Sequence, residues 1–206
     1  MKRLLVMALL GLGVCFATSS CNNGDYDANP KTDYATIKNP MDSSSGVKVL
    51  IGTIQATLNG KHVFFEKCLY TIDSAGTYYI TGTVQHDSIL HGALEIIVPA
   101  SVNNGPNEYT FSETNQNGWI MKYTTVDTSY HNRFVLKTYY AGINVGKGSV
   151  DFVLQGVEGG NWRGYFNATL YRAALDKDYN FTGQADMTDT AKFENAYYYI
   201  GKDYYH

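Results

Sequence analysis

Thiols, histidines beside a carboxylate, and aromatic rings next to polar runs are the side chains here whose types and spacing could do chemistry. His86 and His91 bracket Asp87, three groups that could meet at a metal ion. Their spacing is not a recognised ligand set, so exposed connection residues are the simpler reading. Cys68, in Phe65-Glu66-Lys67-Cys68-Leu69-Tyr70, has no base at a recognisable spacing and reads as a buried, inert thiol. Carboxylates such as Glu95, Glu108, Glu113 and Asp151 are scattered over polar positions, whereas glycoside hydrolysis needs two of them about 5–9 Å apart across a cleft. Gly146-Lys147-Gly148-Ser149 separates the lysine from the serine and leads into a strand, so neither order nor context suits a phosphate loop. No Gly-x-Ser-x-Gly elbow occurs. On this reading the chain has no assigned catalytic residue, metal ligand or cofactor.

The aromatic rings carry more weight. The chain has 18 tyrosines, clustered at Tyr78-Tyr79, Tyr139-Tyr140, Tyr197 to Tyr199 and Tyr204-Tyr205. Strand propensity accounts for many of them. In a strand, however, adjacent rings point to opposite faces, so one of each pair should be available to a sugar or protein surface. Trp119, beside the polar run Asn115 to Gly118, with Tyr79, Tyr139 and Tyr165, forms the expected ligand-binding set.

Cys21 has a different chemistry. Lys2 and Arg3 are followed by an apolar run from Leu4 to Val14 and then by Thr18-Ser19-Ser20-Cys21, the three parts of a secretory signal. The apolar run is shorter than the roughly 20 residues that span a bilayer. Thr18-Ser19-Ser20-Cys21 resembles the lipobox of bacterial lipoproteins, with Thr18 in place of the usual leucine and Ser20 in place of glycine or alanine. The resemblance implies that residues 1–20 are a signal peptide and that the Cys21 thiol is lipidated. Two or more acyl chains would then hold the mature chain to a membrane. Asp25 and Asp27 resemble the acidic signal that sends some Bacteroidota lipoproteins to the outer face, so the implied location is the cell envelope, on the outer membrane and surface-exposed.

Removing the leader takes Lys2 and Arg3 and moves the formal charge from −3 to −5, with no basic block remaining. Nucleic acid is therefore not an expected partner. Cys15 leaves with the leader and Cys21 is committed to lipid, so Cys68 is the sole thiol of the folded part and no intramolecular disulfide is expected. Residues 21–46, rich in Asn, Asp, Ser and Pro, read as a flexible tether. Residues 47–206 are long enough for one domain.

The elements that must position these groups are strands, because period-2 alternation dominates beyond Gly46. Asn59-Gly60 favours a two-residue type I′ turn, pairing Leu58 with Lys61, Ala56 with Val63 and Ile54 with Phe65 on one face. Tyr78, Ile80 and Val84 alternate with polar neighbours, as do Leu94, Ile96 and Val98 before Pro99 ends the strand. Val150, Phe152 and Leu154 face one way. After Gly159-Gly160, Trp162, Gly164, Phe166, Ala168 and Leu170 face inward against Arg163, Tyr165, Asn167 and Thr169. Shorter strands are expected at Tyr109 to Ser112, Trp119 to Thr125 and Phe134 to Tyr140. A core of 47–170 is followed by an irregular extension, 171–206, with a short helix at Thr190 to Ala196 and a strand through Tyr197 to Ile200. The expected fold is all-β: an antiparallel β-sandwich or closed barrel of about 8–10 strands with little helix.

Leu58-Asn59-Gly60-Lys61-His62-Val63-Phe64, Gly148-Ser149-Val150-Asp151-Phe152 and Trp162-Arg163-Gly164-Tyr165-Phe166 are together similar to the opening hairpin and closing strand pair of a group of uncharacterised Bacteroidota lipoproteins. That resemblance implies a single β-sandwich or calycin-like barrel domain and carries over no catalytic residue. The leading expectation is a non-catalytic envelope module that binds a glycan or a surface protein, tethered to the membrane through Cys21. A barrel holding a small apolar ligand and an envelope hydrolase are the alternatives.

Overall fold

The computed structural model describes residues 34–38, 46–86, 89–100, 107–113, 118–127, 135–142, 147–176 and 181–203, all within the compact unit Asp33–His206. The expected leader, Cys21 and most of the expected tether lie outside them. Among the described residues there are twelve strands and no helix: β1 (Tyr34–Lys38), β2 (Gly46–Leu50), β3 (Thr53–Leu58), β4 (Lys61–Ile72), β5 (Tyr78–His86), β6 (Ile89–Val98), β7 (Asn107–Phe111), β8 (Ile120–Asp127), β9 (Val135–Gly142), β10 (Ser149–Glu158), β11 (Asn161–Leu175) and β12 (Phe181–Lys202).

Local sequence sets the hairpins. Asn59 and Gly60 both take positive φ, 47° and 77°, as a type I′ turn requires. The register that follows pairs Leu58 with Lys61, Ala56 with Val63 and Ile54 with Phe65, the expected pairs. β6 stops at Val98, before Pro99. The three shorter expected strands occur as β7, β8 and β9, displaced by one or two residues.

The pairings make a barrel-like circuit. β12 pairs with β3 on one side and β11 on the other; β3, β4, β5, β6, β8 and β9 follow in order. β9 then returns to the far half of β11 through Tyr140 with Tyr171 and Tyr139 with Arg172. The near half of β11 pairs instead with β10, and β10 with β7, so those two strands form a flap on the circuit. One continuous core fills the inside. Phe65 and Phe193 each meet Tyr123 edge-on, at centroid distances of 6.2 and 5.5 Å. Trp162 lies against Tyr70 and Tyr78, at 5.4 and 4.2 Å. Gly164 has no room for a side chain, since a Cβ there would clash with the Val153 carbonyl and the Tyr198 ring.

Two expectations are corrected. Residues 34–38, assigned to the tether, form β1, antiparallel to β2. Ala35 and Ile37 alternate with polar residues, and together with Val49 they pack on Tyr165 and Tyr199 in a second small core on the outer face of the main sheet. The short apolar alternation wins over the polar composition around it because a hydrophobic surface is available to cover. The helix expected at Thr190 to Ala196 is part of β12, a strand held on both sides by β11 and β3. A bulge at Asn195, whose φ is +49°, inserts one residue between Phe193 and Ala196. That insertion breaks the period-2 pattern and imitates helical irregularity in the sequence.

Candidate functional site

Of the expected ligand-binding rings, three are buried. Trp119 shares parity with Met121 and Tyr123, points inward, and packs on Phe152 at 5.1 Å and Tyr109 at 5.9 Å. Tyr139 also points inward, stacked on Tyr123 at 6.1 Å. Tyr165 does lie on the outward side of β11, yet β1 and β2 cover it. The expectation that these three rings form an exposed platform is thus corrected by their packing. Tyr79 is outward and half-buried, and its hydroxyl donates to Asp73 Oδ2 at 3.1 Å. Asp73 in turn accepts the amides of Ala75 and Thr77, and these bonds, Thr77 foremost, hold its carboxyl below the usual range. It is a turn-forming group.

Cys68 is fully buried, with Sγ directed at the Phe65 carbonyl at 3.4 Å. Burial pushes its thiol up to about 12, against the Ile54 backbone bond that lowers it. A thiol so protonated is no nucleophile near neutral pH. The side chains of His86, Asp87 and His91 lie outside the described residues, among which no three His, Cys, Asp or Glu side chains converge as metal ligands.

The densest polar cluster lies where β9, β11 and β12 meet. β12 places three extra residues, Met187 to Asp189, between the pairs Arg172 with Asp186 and Tyr171 with Thr190. Asp186 Oδ1 folds this bulge by accepting the Thr188 amide at 2.9 Å and hydroxyl at 2.6 Å. Asp189 is thereby turned towards the inward side chains of β9 and β11. Tyr139 donates to Oδ1 at 3.0 Å, while Arg172 and Lys137 lie 3.4 and 3.8 Å from Oδ2. Burial first, and then the Asp189 bond, raise the Tyr139 phenol. Two cations and a phenol around one carboxylate make a neutralising knot at the end of the circuit.

The outer face of β10, β11 and β12 offers a different surface. Below the part covered by β1 and β2, the register aligns Ser149, Thr169 and Lys192 in one row and Asp151 beside Asn167 in the next. Two shallow grooves, of about 320 and 240 Å³, share Ser149 and Thr169 and so form one trough. Tyr171 and Glu113 line one end; Asp151, Asn167 and Glu194 line the other. Asn167 Oδ1 accepts the Asn195 amide at 2.8 Å, which ties the bulge in β12 to the trough floor. Lys192 is held by Glu194 at 2.7 Å and Lys147 by Glu113 at 2.9 Å. Tyr140, paired with Tyr171, continues the outward face, and both rings are half-buried. Strand parity marks Asn167 and Thr169 as outward, and the pair Tyr139-Tyr140 is expected to turn one ring outward; the ring expected outward, Tyr139, is the inward one, and Tyr140 takes its place. A third groove, about 530 Å³, runs between β1 and β7, with Arg163, Lys38 and Glu108 on its walls.

No protein-family model, curated protein or solved structure matches this chain.

Proposed function

We propose that this chain is an envelope lipoprotein, anchored through Cys21 on the outer membrane, whose β domain is a non-catalytic binding module directed at glycan. The observation that carries the reading is the trough across β10, β11 and β12, with hydroxyl, amide and carboxylate groups along it, Tyr171 lining one end and Tyr140 its neighbour on β9. Sugars present hydroxyls around apolar ring faces, so paired polar acceptors and donors beside an amphipathic ring suit them at low entropic cost. The inside of the circuit is occupied by aromatic side chains, which supports a surface site over a ligand in the lumen. The inert Cys68, and the Asp189 carboxylate engaged by two cations and a phenol, support binding over catalysis. Anchoring rests on the leader and on the resemblance of Thr18-Ser19-Ser20-Cys21 to a lipobox.

Retention on a panel of immobilised polysaccharides tests the binding reading. The wild type should be retained on at least one matrix, and Tyr140→Ala with Tyr171→Ala should lower retention at least about tenfold, since one ring contact alone is worth roughly that factor. Equal retention by the double variant, or none by the wild type, would overturn it. Anchoring is tested separately: Cys21→Ala should abolish incorporation of labelled fatty acid, and continued labelling would contradict it.

A further inference from the structure

We propose that the trough takes an uncharged glycan chain and rejects acidic ones, an inference that rests on the glycan-directed reading above. Its lysines are already matched within the protein. Lys192 and Lys147 are each held by a glutamate of the same surface, at 2.7 and 2.9 Å, and Asp151 adds a carboxylate in the row next to Lys192. Two lysines against Glu113, Glu194 and Asp151 give a formal charge of −1.

Recognition of a uronate or sulfate draws on the arginine fork, which meets two oxygens at once. The two described arginines that could supply it face elsewhere. Arg172 is turned inward onto Asp189, and Arg163 lines the groove between β1 and β7. Among the described residues, an acidic chain laid along Ser149 and Thr169 would meet carboxylates with no guanidinium to answer it. A neutral chain would find hydroxyls, an amide and a carboxylate acceptor, groups that bond sugar hydroxyls without requiring a charge on the sugar. The trough is also elongated. Asn167, Thr169 and Tyr171 are successive outward residues of one strand, about 13 Å from first to last at strand rise. Such a length fits linked sugars better than a single ring.

Affinity electrophoresis of the full mature chain in neutral detergent separates the outcomes. Gels carry either neutral polysaccharides (dextran, mannan, galactan) or acidic ones (polygalacturonate, heparin). Retardation is expected in at least one neutral gel and in neither acidic gel. It should persist when salt is raised to about 1 M, where charge interactions are screened beyond about 3 Å. Asn167→Ala with Tyr171→Ala should reduce it about tenfold. Tyr171→Phe, which keeps the ring and guards against a folding defect, should reduce it less than threefold. Retardation only by acidic polymers, abolished by salt, would overturn this inference and leave glycan binding intact. Retardation by no polymer of either class would overturn the glycan reading itself. Neutral retardation unaffected by the double variant would remove the trough as the site.

Discussion

Cys68 shows how one residue's chemistry is decided by its surroundings. The bulge of β4 between Glu66 and Leu69 turns it into the core, facing Gly82, where a Cβ would come within 2.6 Å of the sulfur. Its folded pKa lies above its ordinary 9.0, so the native state holds the proton more tightly than the unfolded chain. The resulting stability is complete below about pH 9 and is lost as pH rises towards 12, on the order of a few kcal/mol. A denaturant midpoint measured against pH should fall over that window in the wild type and stay flatter in Cys68→Ala. A thiol reagent at pH 8, read at the Cys68 peptide by mass spectrometry, should label it only after unfolding; labelling of the native chain would contradict this burial. The inert thiol was legible in the sequence because no base stands at a recognisable spacing from Cys68. The facing of Tyr139 was not. Lys137 has the same parity and suggests water, but here its cation turns inward towards Asp189, contributed by a strand some fifty residues away.

At the scale of elements, β1 is where composition and pattern disagreed and pattern prevailed. Its five residues cover the outer face of β11 and β12 with Ala35 and Ile37, and the Gln155 amide donates to the Lys38 carbonyl. This cover explains why Tyr165, outward by alternation, is not available to a ligand. Replacing Ile37 with Ala should lower unfolding stability by about 2 kcal/mol, the lower end for a large-to-small core change, since the cluster is small. A urea midpoint unchanged by Ile37→Ala would mean that β1 does not pack as described. The hairpins and the inward rows of β4, β5, β6, β10 and β11 followed from turn residues and alternation, which are local. The bulges of β12, the return of β9 to β11 and the cover supplied by β1 depend on partners distant in sequence, and no period announces them.

The whole molecule joins an aromatic core, closed within a strand circuit, to an outer face that is half covered and half open. Sandwich and barrel were indistinguishable from alternation alone; the double pairing of β12, with β11 and β3, makes the circuit. The open half holds the trough, the site proposed for a neutral glycan. Chemical-shift mapping of the isotopically labelled mature chain, titrated with an oligosaccharide from a retained neutral polymer, tests it most directly. The largest shifts are expected at Ser149, Asn167, Thr169 and Tyr171, with little change at Tyr139, Arg172 and Asp189. Shifts concentrated on the inward Asp189 cluster, or on the β1 and β7 groove, would contradict it.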